Sequence, residues 1–152
     1  MRALHLCGRM LGAEVIMRIL VPVLLCLSGL SFLGFGVAFL IEPVQTLALA
    51  GVATEGAIAA TELRAFYGGV EIALGALILF CATRAGRLRD GLWLTLICYG
   101  AIGLTRLAGM AIDGSDSFFL RFAAATEIGF ALASAFCLVK GTRQGSGNTF
   151  PP

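Results

Sequence analysis

ELRAFYGGVEIALGALILFCA, residues 62–82, is apolar enough to be a membrane helix, yet it carries Glu71 in its interior. At 1.5 Å per residue a helix of this length covers about 30 Å, the thickness of a bilayer's hydrocarbon core. A charge at such depth costs at least about 2.5–3.5 kcal/mol on insertion scales. The rest of the chain repeats the pattern. Ile19–Ile41, Gly91–Ile112 and Phe118–Val139 are further apolar runs, and two of them carry Arg106 and Glu127. Costs of this kind are sustained only when the groups meet inside a protein. The sequence therefore reads as an all-α integral membrane protein, an antiparallel four-helix bundle with a buried ionic centre.

Composition agrees. The 152 residues are 59% hydrophobic and only 13% charged, too few polar groups to clothe a soluble domain of this size. The basic residues cluster between apolar runs, which is a topology signal; nucleic acid is not an expected partner. Five cysteines form no C-x-x-C pair, and His5 is the only histidine, so metal, haem and thioredoxin-like chemistry lack their ligands. No cofactor motif and no nucleophile–base pair stands out, so no catalytic residue is assigned and the reading leans away from an enzyme.

Organisation follows from the punctuation. Residues 1–16 read as a poorly ordered N-terminal extension, with Met17 an alternative start. Residues 17–140 hold the four spans (19–41, 62–82, 91–112 and 118–139), and 141–152 form a flexible tail. The first apolar run exceeds the 7–15 residues of a signal-peptide core, so an uncleaved helix is expected. Pro22 falls in its first turn and Thr61 serves as N-cap of the second. The N-terminal segment (Arg2, Arg9, Arg18), the middle turn (Arg84, Arg87, Arg89) and the tail (Lys140, Arg143) hold eight of the eleven Lys and Arg. The two other connections carry Glu42, Glu55, Asp113 and Asp116. The positive-inside rule then puts both termini in the cytoplasm.

Small residues set the packing. Ala65, Gly69 and Ala73 on the second span, and Ala125, Gly129 and Ala133 on the fourth, recur every four positions, the spacing that lets helices approach in lipid. Depth sets the site. With the second and fourth spans entering from outside and the third leaving, Glu71, Arg106 and Glu127 converge in the outer half of the bilayer. Arg64 and Arg121 lie toward the mouth. Arg64, Tyr67, Gly68, Glu71 and Gly75 share one helical face, and Tyr99, Gly103, Arg106, Met110 and Asp113 another. The candidate ligand-binding or ion-network residues are thus Glu71, Arg106, Glu127, Arg64, Arg121, Tyr67, Tyr99, Glu62 and Asp113. Arg106 would offer its guanidinium fork to one or both glutamates.

Residues 62–75, ELRAFYGGVEIALG, together with RLRDGL at 87–92, TRLAGMAIDG at 105–114 and Glu127, resemble a bacterial family of small four-transmembrane-helix proteins of unknown function. The resemblance covers about residues 17–140. It implies a multi-pass inner-membrane protein and brings no reaction with it. Three readings are open at this stage. The centre binds a small anionic ligand, lipid headgroup or proton. Alternatively, it fixes helix register in an accessory subunit, with a homo-oligomer or a partner membrane protein outside. The third is an enzyme acting on a lipid-soluble substrate, with the paired glutamates moving protons.

Overall fold

A computed structural model of the chain describes residues 2–145, with side chains described over 16–140. Apart from short connections those residues are helical, with no strand among them. The order is α1 (Arg2–Ile41), α2 (Pro43–Leu49), α3 (Ala57–Leu63), a π-helical segment (Arg64–Gly69), α4 (Val70–Ala82), a 3-10 turn (Ala85–Arg87), α5 (Leu88–Asp113) and α6 (Phe118–Gly145). Four stretches are long and apolar enough to cross a membrane: Ile16–Ile41, Ala57–Ala82, Ala85–Asp113 and Phe118–Lys140. The third begins at Ala85 rather than Gly91, because the turn after α4 is itself wound into helix.

Local chemistry explains the ends. Pro43 opens α2, where its missing N–H costs nothing. The Ser117 hydroxyl accepts the Leu120 N–H at 3.1 Å and caps the start of α6. α5 stops at Gly114, whose φ of 62° is the left-handed conformation that glycine tolerates after a helix. Two expectations change here. α1 begins at Arg2, so Pro22 lies inside the helix rather than in its first turn, and the backbone of residues 2–16 is helical. Their side chains up to residue 15, like residues 146–152, lie outside the described residues. Thr61 is no N-cap: α3 starts after Gly56, and the Thr61 hydroxyl donates back to the Ala57 carbonyl at 2.9 Å.

Packing organises the helices as two antiparallel pairs, α1 with α4 and α5 with α6, joined by α4 against α5 and by α1 against both α5 and α6. The first pair meets through glycine. A Cβ on Gly75 would stand 2.7 Å from the Gly29 carbonyl oxygen and 2.8 Å from the Leu33 nitrogen. One on Gly36 would stand 2.8 Å from the Ile72 nitrogen. The backbones touch, and only glycine fits there. The seam is therefore Gly29 and Gly36 against Gly75 and Gly68, which lies on the face expected to be a polar stripe. The expected small-residue seams point elsewhere: Ala65, Gly69 and Ala73 are exposed, as are Ala125 and Gly129. A repeat of four is common on any apolar helix, whereas the contact that forms uses a spacing of seven on both partners. Around the junction of α1, α4, α5 and α6 the core is built from Leu25, Phe32, Ile78, Leu92, Tyr99 and Ala131.

Candidate functional site

Arg106 on α5 and Glu127 on α6 form the most multiply bonded side-chain contact among the described residues. The Arg106 Nε donates to both carboxylate oxygens, at 3.1 Å to Oε1 and 2.9 Å to Oε2, and its NH2 donates to Oε1 at 2.7 Å. Gly103, one turn before Arg106, lets α6 come close: a Cβ there would stand 3.1 Å from the Glu127 Cβ. The arginine side chain is 28% exposed and the glutamate 11%. A fork gripping a carboxylate at several points is the strong form of the ion pair. Charge is cancelled within this pair.

Glu71 completes the centre differently. It sits in the first turn of α4 and is half-buried. Its Oε2 is buried with no hydrogen-bond partner. Arg106 and Glu127 both act on it through space, and Tyr67 and Glu71 both act on Arg106. Among the described residues, however, the ion pairs are Arg106–Glu127 and Arg121–Asp116. The three-member network expected from depth is thus a closed pair with a third acid beside it. A buried carboxylate oxygen without a partner lacks the compensation that burial demands.

The remaining candidates separate from this cluster. Arg64 donates from Nε to the Leu40 carbonyl at 3.1 Å. That carbonyl belongs to the last turn of α1, where backbone acceptors have no helical partner, so Arg64 caps α1. The cause is local. Residues 64–69 wind as a π-helix, which takes more residues per turn, so Arg64 and Glu71 no longer share the face that α-helical spacing gives them. Arg121 pairs with Asp116 at 3.4 Å on the surface, both side chains more than half exposed. Glu62 and Asp113 are exposed. Tyr67 lays its ring on Phe39, with centroids 4.9 Å apart. Tyr99 is buried, packs between Phe32 and Phe130, and donates to the Ser28 carbonyl at 2.9 Å.

That last bond reveals a polar layer the sequence reading missed. Ser28 and Thr95 are fully buried, their hydroxyls 3.4 Å apart, and Ser28 also donates to the Leu25 carbonyl at 3.1 Å. With Tyr99 they tie α1 to α5. A hydroxyl in an apolar run carries no charge signal, and its partner is 67 residues away. Only the α5 face that places Thr95 one turn from Tyr99 hinted at it.

The family model for a domain of unknown function, DUF4345, matches residues 20–138. The chain belongs to that family. The DUF4345 segment contains Arg106, Glu127, Glu71, the glycine seam and the buried hydroxyl layer. Its description assigns no reaction, which agrees with the expected unknown-function family. No curated protein and no solved structure matches the chain.

Proposed function

We propose that this DUF4345 chain is a non-enzymatic, multi-pass protein of the bacterial inner membrane. Its four spans form an antiparallel bundle with both termini cytoplasmic. In it Glu71 takes up a proton or the hydrogen-bond donor of a small ligand such as a lipid headgroup. The observation that carries the reading is the buried, unpartnered Oε2 of Glu71 beside a pair already closed on itself. Arg106 and Glu127 neutralise each other, so the unmatched carboxylate oxygen belongs to Glu71; the other buried atom without a partner among the described residues is the Ser134 hydroxyl. Intramembrane ionisable groups are functional candidates by default, and π-helical turns recur beside functional sites. Here the π segment ends at Gly69, just before Glu71. Basic residues flanking the spans support the orientation.

Within this reading the Arg106–Glu127 pair fixes the register of α5 on α6 and leaves Glu71 without a charge partner of its own. The register-lock and binding roles expected as alternatives are then divided between different residues. The test is infrared difference spectroscopy on the full chain reconstituted in lipid and stepped in pH. A carboxyl C=O band that changes with pH, vanishes in Glu71→Gln and persists in Arg121→Gln supports the assignment. A band that survives Glu71→Gln, or no band at all, overturns it.

A further inference from the structure

The antiparallel contacts fix which basic residues share one end of the molecule. Gly29 faces Gly75 and Gly36 faces Gly68, so Arg18 on α1 is level with the turn after α4. Gly91 approaches Cys81, and Arg106 meets Glu127, which brings Lys140 of α6 to the same end. There a single arrangement occurs twice. Arg84 and Arg87 stand over the ring of Phe80, at 5.7 and 5.6 Å from its centroid. Lys140 stands over Phe136 at 5.5 Å. Both rings lie on outward faces of spans, Phe80 45% and Phe136 54% exposed. Arg84 and Lys140 each follow their ring by four residues, one helical turn, and Arg87 follows Phe80 by seven, so the ring sits in the apolar layer with the cations above it.

Arg84 and Arg87 are brought together by the 3-10 turn, in which the Arg87 N–H donates to the Arg84 carbonyl at 2.8 Å. Among the described residues neither makes an ion pair; Asp90, the acid nearest in sequence, is exposed and unpaired with them. Two guanidiniums over one ring repel each other, and among the described residues no carboxylate pairs with either. We propose that Arg84 and Arg87 bind the phosphate of an anionic phospholipid, whose acyl chains run down past Phe80. Guanidinium forks match phosphate oxygens bidentately, and basic residues at a membrane surface draw anionic lipid.

The single tryptophan, Trp93, lies outward-facing near the start of α5 at this same end, and serves as the reporter. The full chain is reconstituted in vesicles with phosphatidylglycerol or phosphatidylcholine brominated on identical acyl chains, and Trp93 quenching is read. The expected result is a relative affinity for phosphatidylglycerol of about five-fold or more, the scale of one basic residue at an anionic surface. Arg84→Gln with Arg87→Gln brings the ratio to about one, while Arg121→Gln, at the opposite end, leaves it unchanged. Phe80→Leu, which keeps the apolar bulk and removes the ring beneath the cations, lowers the ratio partway and serves if the double variant fails to fold. Equal quenching by the two lipids overturns the proposal, as does a preference that survives the substitutions. Loss of the preference in millimolar inorganic phosphate assigns the site to free phosphate and overturns the lipid.

Discussion

Along α1 and α4 glycine faces glycine, whereas across α5 and α6 an arginine grips a glutamate. The first pair brings backbones into contact and gains by dispersion and close fit. The second gains by one multiply bonded ion pair, with Gly103 admitting α6. Shape cannot be altered in the first without a clash. Charge cannot be removed from one side of the second without stranding the other. Glu71 sits between the pairs, on α4 and facing the field of Arg106 and Glu127, and belongs to neither bonding scheme.

The contrast is broken most severely at the seam. Gly75→Leu puts a side chain into the Gly29 and Leu33 backbone, and a loss beyond about 4 kcal/mol is expected, which unfolds a small domain. Gly129→Leu, with open space around it, stays within about 0.5 kcal/mol; equilibrium unfolding in mixed detergent micelles compares the two. Next comes the ion pair. Arg106→Ala strands Glu127 and costs about 3–5 kcal/mol, Arg106→Lys recovers part of it, and Arg106→Met with Glu127→Leu returns close to the parent. A double variant as unstable as Arg106→Ala would show that the pair does more than satisfy itself. Smaller effects follow from single hydrogen bonds. Tyr99→Phe removes the bond to the Ser28 carbonyl, about 1 kcal/mol by the same unfolding assay. Arg64→Ala uncaps α1 for about 0.3–1 kcal/mol, read as faster amide exchange around Leu40. Arg121→Ala, in a surface pair, changes stability by less than about 0.5 kcal/mol.

Much of this was legible in the residues. Hydropathy with helical rise located the spans, and depth along them brought Glu71, Arg106 and Glu127 to one level. Depth did not distinguish a shared network from a closed pair, because that depends on rotation of each helix about its axis. The π segment shows why. RAFYGG looks like any stretch of helix, yet its wider turn sends Arg64 to the end of α1. The same shortfall affected the seams. Repeats of four on Ala65–Ala73 and Ala125–Ala133 are compositional, while Gly29, Gly36, Gly68 and Gly75 declare themselves only as a matched pair of sevens on two helices. The hydroxyl layer of Ser28 and Thr95 lay below any charge-based search.

The division between Glu71 as the free acid and Glu127 as the clamped one is open to chemical labelling. Dicyclohexylcarbodiimide modifies protonated carboxyl groups at membrane depth, and its adducts on the lipid-reconstituted chain are mapped by peptide mass. An adduct is expected at Glu71, absent in Glu71→Gln, with Glu127 untouched while Arg106 holds it. Modification of Glu127 to the same extent, or an unmodified Glu71, would contradict that division.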